Sequence, residues 1–367
     1  MKLIIIGPFP MPVHGCSLAN EVLLFQLNKN KNIQVTSIDT NSVNVSSKKV
    51  GHFSFSKVFS FVRNYKSLTL IRKTDIVYTT PGQTFFGIVK YIPFFTLCIK
   101  YQIPYIIHVH GNHLGCEYKN LNGIRKVLFK YFISKASAGI VLSDSLRDNF
   151  KQLLSSDKIF VVENFAQDVF NDNKNLKKPT DILRIVYLSN LMKEKGILDV
   201  LSAFSLLKEQ GIHFRADIAG KIEDESKVEI EERLENLKDY VTYHGIVQGQ
   251  SKVDLLKKSN VFILPTFYKM EGQPIALIEA MATGNIVITT KHAGIPDIIS
   301  VDNGFFVEPQ APNNISEQLL KINNNLEQQV LKISKFNMKY AYENFSEEQF
   351  STKILNVLLK VKKETNV

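Results

Sequence analysis

A chain of 367 residues with 44% hydrophobic and 22% charged residues has the make-up of a folded protein of about two domains, not that of a disordered, collagenous or disulfide-scaffold chain. Its net charge of +10 is uneven: residues 1–165 hold 20 basic against 8 acidic side chains and the rest 25 against 27. That suits an anionic partner for the first half, and without an arginine-rich tract an anionic membrane is favoured over nucleic acid.

Cys16, Cys98 and Cys116 are scattered and odd in number, without metal-ligand spacing, which argues against a disulfide framework and for a reducing, cytoplasmic setting. No uncharged apolar run reaches 18 residues, so no membrane span is expected. The opening run 3–6 is too short for a signal peptide and reads as a first strand. It leads into the loop Gly7-Pro8-Phe9-Pro10-Met11-Pro12-Val13-His14-Gly15 and a helix from near Ser17 to about Leu27. Strand, glycine-bearing loop and helix in this order open a Rossmann-like unit. The G-x-G-x-x-G pattern is absent, which weakens a dinucleotide reading, and a plain proline-rich turn explains the loop equally well. Gly15 would let the backbone approach a ligand closely.

Further strands are expected at 33–38, 75–79, 105–109, 138–142 and 159–162. Residues 41–56 read as a loop, 57–72 as a basic, aromatic-bearing helix and 85–100 as one apolar helix. Residues 122–135 read as a basic amphipathic helix, with Lys126, Lys130 and Lys135 set against Val127, Leu128, Phe129, Phe132 and Ile133. His110-Gly111-Asn112-His113 closes the strand 105–109, and His108 is expected to face away from His110 and to pack. Ser143-Asp144 can cap the helix after it.

Residues 166–181, with Asn171-Asp172-Asn173-Lys174-Asn175, look like a linker. A second alternation follows, with strands at 185–188, 214–219, 241–243, 261–264, 286–289 and 305–307. Helices are expected at 196–210, 226–237, 253–257, from about 274, from about 314 and at 346–362. Such alternation calls for two parallel sheets covered on both faces: an α/β protein of two Rossmann-like doubly wound domains, 1–165 and 166–345, closed by a helix in 346–367. Ligands of such sheets bind outside the carboxyl ends of the strands. Loops 7–15, 110–113, 189–195, 265–273 and 290–297 all follow strands, which predicts a cleft between the domains.

The most informative stretch is Glu271-Gly272-Gln273-Pro274-Ile275-Ala276-Leu277-Ile278-Glu279, directly after a buried-type strand. Proline suits the first helical position, where its missing N–H costs nothing. The free N–H groups and positive dipole end of a helix start suit a phosphate. One acid in the loop and a second roughly 7–8 Å further along the helix would hold a ligand with polar groups at both ends and phosphates between. A helix start decorated with acids for its dipole is the competing reading.

Taken together, these stretches resemble the retaining glycosyltransferases of family 4, which have the two-domain GT-B fold. The resemblance covers nearly the whole chain and is strongest over 186–309. Glu271-x7-Glu279 with Ala280-Met281 is similar to the family's paired-glutamate motif, and Lys195-Gly196 to its donor-phosphate lysine. Gly294-Ile295-Pro296-Asp297 with Asn303-Gly304 is similar to the segment after the motif. His110-Gly111 resembles the strand-ending histidine of the N-terminal domain, and His14-Gly15 its first glycine-containing loop. Phe345-Ser346 and the last helix resemble the segment that crosses back onto the N-terminal domain. Two places depart: the arginine five residues before the lysine is Asn190 here, with Lys193 nearby, and the glycine pair of the first loop is Gly15-Cys16.

The resemblance implies a nucleotide-diphosphate sugar donor and retention of anomeric configuration. The acceptor it implies is a glycan or polyprenyl-diphosphate-linked glycan. With no Asp-x-Asp after a strand, the charge of the leaving diphosphate falls to Lys195 and the helix start rather than to a metal, and no cofactor is implied. Glu279 would accept both ribose hydroxyls. Glu271 with the backbone of Gly272 and Gln273 would orient the sugar, and Pro274, Ile275, Gly15 and Asn190 would complete the donor contacts. Gly245-Ile246-Val247 would read the base. His110 would stand near the sugar or acceptor, and His14 and His113 would touch the acceptor. Glu271 is not assigned as a nucleophile; front-side attack, with the leaving phosphate taking the acceptor's proton, is favoured. The basic first half fits peripheral attachment to the inner face of the plasma membrane, at about 1 kcal/mol per Lys or Arg near an anionic leaflet. A non-catalytic scaffold of the same fold, supported only by Asn190, and a GT-B nucleotide-sugar epimerase remain as alternatives. A nicotinamide oxidoreductase is disfavoured by the missing glycine fingerprint.

Overall fold

The structure, a computed structural model, describes residues 1–41, 63–171 and 176–365. The expected loop beyond Asn41, residues 57–62 of the expected basic helix and residues 172–175 of the expected linker lie outside them. The chain divides into two compact units, residues 1–163 with 347–367 and residues 164–346.

Unit one holds β1 (Lys2–Gly7), β2 (Gln34–Asp39), β3 (Ile76–Thr79), β4 (Tyr105–His108), β5 (Ala138–Val141) and β6 (Ile159–Val161) in the order β2-β1-β3-β4-β5-β6, all parallel. Strands β3, β4 and β5 are buried along their whole length, which is why they read as continuous apolar runs rather than alternating ones. The connections carry α1 (Gly15–Asn28), α2 (Phe85–Val89), α3 (Ile92–Lys100), α4 (Leu114–Asn120) and α5 (Gly123–Ser134).

Several local expectations are corrected. The single helix 85–100 is two, because Pro93 at the opening of α3 cannot continue the preceding helix. Helix α1 starts at Gly15 rather than near Ser17. Its N-cap is His14, whose Nδ1 accepts from the Ser17 N–H (3.3 Å) while the Ser17 hydroxyl accepts from the His14 N–H (2.9 Å). The end of the expected basic helix is a 3-10 helix, Arg63–Lys73. Ser143 caps nothing with its side chain; its hydroxyl pairs with that of Ser145 at 3.2 Å, and only a 3-10 turn, Asp144–Asn149, follows.

Unit two holds β7 (Leu183–Leu188), β8 (Phe214–Ala219), β9 (Val241–Tyr243), β10 (Val261–Leu264), β11 (Ile286–Thr289) and β12 (Gly304–Phe306), all parallel, in the order β12-β11-β10-β7-β8-β9. That is the doubly wound Rossmann order, and it reverses direction between β7 and β10. The helices are α6 (Ile197–Glu209), α7 (Lys227–Asn236), α8 (Gly249–Lys258), α9 (Ile275–Ala282), α10 (Pro312–Asn323) and α11 (Leu326–Asn344). Pro274 is the N-cap of α9 and not its first residue: with ψ at 120° it is still extended. The chain arrives extended because Gln273 is held on both sides by Asn164. Its Oε1 accepts the Asn164 N–H (2.6 Å) and its carbonyl the Asn164 Nδ2 (2.7 Å).

The last helix, α12 (Glu347–Thr365), belongs to unit one and packs on α1. Gln26 Nε2 donates to Glu347 Oε2 (3.0 Å), and Lys362 and Lys353 pair with Asp75 (2.8 Å) and Glu163 (2.6 Å).

Helix α11, not distinguished in the sequence, is tied to unit two by the fully buried Asn337. Its Nδ2 donates to the carbonyls of Asn285 (2.7 Å) and Asn303 (2.9 Å), and its Oδ1 accepts from Asn303 Nδ2 (2.9 Å). Asn337→Ala strips partners from three buried polar groups and is expected to cost about 2–4 kcal/mol. The exposed Asn344→Ala should cost little. Denaturant midpoints of the two variants test the contrast.

Candidate functional site

The switch between β7 and β10 brings together the two loops that matter most in unit two. After β7 the chain makes a 3-10 turn, Lys193–Lys195, and passes through Gly196 at φ 78°. A Cβ there would meet the Pro265 carbonyl oxygen at 2.5 Å, so only glycine allows both the left-handed turn and the close seating on the loop after β10. The Phe267 N–H donates to the Glu194 carbonyl (2.8 Å), and the buried Tyr187 hydroxyl lies 3.2 and 3.3 Å from the Asn190 and Lys195 carbonyls.

The result is a direct bond between two expected site residues. Lys195 Nζ donates to Glu271 Oε2 at 2.5 Å, and Thr266 Oγ1 donates to the same oxygen at 3.2 Å. The ammonium also lies 5.1 Å from the centre of the Tyr268 ring. Their side chains are only 15% and 9% exposed, so Lys195 is a fixed charge and not a solvated one. The loop after β11 braces the arrangement: the Gly294 N–H donates to the Gly272 carbonyl (2.9 Å), and His292 Nε2 donates to the Tyr268 carbonyl (2.7 Å).

Glu279 lies on α9 at 1% exposure. Lys252 of α8 forms an ion pair with it, yet among the described residues neither carboxylate oxygen has a hydrogen-bond partner. A buried charge without donors is costly, and two adjacent hydroxyls would satisfy it. Lys252 does not stand out in the sequence, where it is one lysine of an amphipathic helix; only the fold, which brings its side chain to Glu279, reveals it.

The other donor-side positions are placed as follows. The Gln273 side chain and carbonyl are turned to Asn164, leaving the loop backbone rather than the amide group to meet a ligand. Pro274 and Ile275 are half-buried at the start of α9. Gly245 has φ 64° and its carbonyl accepts from the Gly220 N–H (2.7 Å). Val247 packs against the core. Asn190 and Lys193 are both exposed, and Lys193 takes no part in the Lys195–Glu271 pair.

In unit one, His108 and His110 do not face apart. Their rings lie 4.1 Å between centres, because residues two apart on an extended chain share a face. The Tyr78 hydroxyl is hydrogen-bonded to His108 Nδ1 at 2.6 Å. Burial holds Tyr78 well above the usual phenol range, which keeps its proton available to donate, and holds His108 well below the usual imidazole range. Burial first, and then the neighbouring His14, push His110 down to about 3. It is therefore a neutral imidazole near neutrality, and both its nitrogens are without a partner among the described residues. His14 itself is committed to the α1 cap. His113 pairs with Glu117 (3.4 Å), its backbone N–H donates to Gln83 Oε1 (2.8 Å), and Gly15 is the first residue of α1.

Residues 168–336 match the sequence model of the family described as glycosyl transferases group 1. The amylovoran biosynthesis glycosyltransferase AmsK of Erwinia amylovora is 33% identical over 79 residues, 20% of this chain and 19% of that protein. The chain spans about a fifth of the length of the curated relatives it first matches. Among solved structures, a glycosyltransferase from Rickettsia africae ESF-5 superposes with a TM-score of 0.74 at 19% identity, covering 98% of both chains. Anabaena Alr3699/HepE in complex with UDP superposes with a TM-score of 0.73 at 14% identity, covering 98% of this chain and 100% of that one. The likeness over the whole chain shows the GT-B fold.

Protonation of buried His110 has a measurable consequence. Its folded value lies below the ordinary 6.5, so between pH 6.5 and about 3 the unfolded chain binds a proton that the folded one refuses. Stability is complete above that window and is lost as pH falls through it. Denaturant midpoints at pH 7, 5.5 and 4 should fall more steeply for the wild type than for His110→Gln.

Proposed function

We propose that this chain, whose residues 168–336 carry a group 1 glycosyltransferase segment, transfers a sugar from a nucleotide-diphosphate donor to a glycan or lipid-linked glycan with retention of configuration. The observation that carries the reading is the Lys195–Glu271 pair, formed by the loops after the two strands where the sheet order reverses, with the buried, hydrogen-bond-poor Glu279 eight residues further along on α9. Lys195 and the N–H groups opening α9 stabilise the charge that grows on the leaving diphosphate, with no metal required. Glu279 accepts the ribose hydroxyls. Glu271, fixed by Lys195 and Thr266, orients the sugar with the Gly272 backbone. The similarity to Anabaena Alr3699/HepE, solved in complex with UDP, supports a uridine donor as the first to try.

His110 fits a hydrogen-bonding role towards sugar or acceptor. A group that titrates at about 3 is too weak a base to serve at neutral pH, which favours a mechanism in which the departing phosphate removes the acceptor's proton.

Helix α5 supports attachment to a membrane surface. Ile124, Val127, Leu128 and Tyr131 are exposed on it at helical spacing, interleaved with Arg125, Lys126 and Lys130, and it holds no acidic residue. Among the described residues no helix is long and apolar enough to cross a membrane.

A thermal-shift screen of UDP-, GDP- and ADP-sugars should identify one donor class. Turnover of that donor should fall by about 100- to 1000-fold in Lys195→Met and be lost in Glu271→Ala. Full activity of Glu271→Ala, or no binding of any nucleotide sugar, would return the chain to a scaffold role. Separately, the protein should float with phosphatidylglycerol vesicles at low salt, and the triple change Ile124→Ser, Val127→Ser, Tyr131→Ser should abolish flotation. Absence of wild-type binding at low salt removes the membrane from the account.

A further inference from the structure

We infer that Lys252 is the positioning residue that makes Glu279 selective for ribose over deoxyribose. The inference rests on the proposed nucleotide-sugar site and adds a residue to it. Lys252 lies within the first four residues of α8 and extends to Glu279 on α9. Its side chain is 24% exposed, whereas the lysines of the other ion pairs in unit two outside the catalytic loop are 50–74% exposed. The ammonium also lies 5.6 Å from the centre of the ring of Phe170, itself buried at 2%. Carboxylate and aromatic ring thus both attract the ammonium.

What matters is what this cation supplies and what it leaves vacant. It offsets the charge of a carboxylate at 1% exposure, without which that charge would be uncompensated in the interior. One ammonium, set against Oε2, cannot fill the carboxylate's hydrogen-bonding capacity, and no neutral donor reaches either oxygen among the described residues. A charged acceptor with vacant lone pairs forms strong bonds to neutral O–H donors. The chemistry that meets both oxygens at once is a vicinal diol, as on a ribose. A nucleotide lacking the 2′-hydroxyl leaves one oxygen unfilled. The guanidinium of an arginine can provide the same compensation from the same place, but an uncharged side chain cannot.

The test compares wild type, Lys252→Met, Lys252→Gln and Lys252→Arg in binding UDP, GDP and ADP and their 2′-deoxy counterparts by calorimetry, with circular dichroism as the check on folding. Wild type should prefer the ribose form of its nucleotide by about 10- to 100-fold. Lys252→Met and Lys252→Gln should lose most of that preference by weakening the ribose form, while the deoxy form changes by no more than about twofold. Lys252→Arg should restore the preference. A folded Lys252→Met or Lys252→Gln that keeps the ribose preference, or that weakens both forms equally, overturns the inference while the proposed function stands. A wild type that binds a nucleotide without preferring ribose removes the role given to Glu279 as well. A wild type that binds none of the three overturns the proposed function itself.

Discussion

The site in unit two depends on one contact, the ammonium of Lys195 on the carboxylate of Glu271. Neither residue is fixed by its own element. Lys195 ends a short turn and Glu271 stands in a loop, and each would wander if the loops were free. Gly196 prevents this by letting the turn after β7 seat on Pro265, at a distance that any side chain would forbid. Thr266 then takes the same Glu271 oxygen, and the Gly294 N–H fastens the Gly272 carbonyl from the next loop. Three loops from three neighbouring parallel strands share the work of holding two charges. A site assembled this way is rigid because the sheet beneath it is, with β10 and β11 buried throughout.

The two glutamates meet opposite electrostatic conditions. Glu271 has both a counter-charge and hydrogen bonds, so it is satisfied by the protein alone and held in place. Glu279 has a counter-charge and no hydrogen bonds, so it is left wanting donors. The difference follows from their positions. A loop residue can be reached by neighbouring loops, whereas Glu279 sits in an otherwise apolar helix and, among the described residues, is reached by one long side chain, Lys252 of α8.

Much of this is legible in the sequence and some is not, for separable reasons. The central strands are readable because parallel strands covered on both faces leave uninterrupted β-branched runs such as Ile286–Thr289, and the loops after them follow; the edge strands β2 and β9 are largely exposed and are readable from their place in the alternation. Lys195 and Glu271 are readable from their motifs and their places after strands. Lys252 is not, since its partner lies 27 positions further along the chain and the pairing exists only once the domain has folded. The expectation that His108 and His110 face apart fails although the period of a strand settles the matter. Helices α4 and α11 escape a reading of the sequence: α4 is short, and α11 follows α10 across a break of two residues with no proline to mark it. Pro274 stands one position earlier relative to its helix than expected, because the anchoring of Gln273 to Asn164, 109 residues away, has no local signature.

That anchoring bears on how the protein can be recombined. Asn164 is the first residue of unit two, immediately after the chain leaves unit one, and both its backbone and its amide grip Gln273. The Ala166 N–H in turn donates to the Phe345 carbonyl (2.9 Å), two residues before the chain goes back. Hybrids assembled from this chain and a relative therefore have natural seams at 163/164 and 346/347. A graft that moved the first seam only a residue or two downstream would import a foreign side chain at position 164 and unfasten the loop that carries Glu271 and Gln273, even though every residue of the loop itself had been kept.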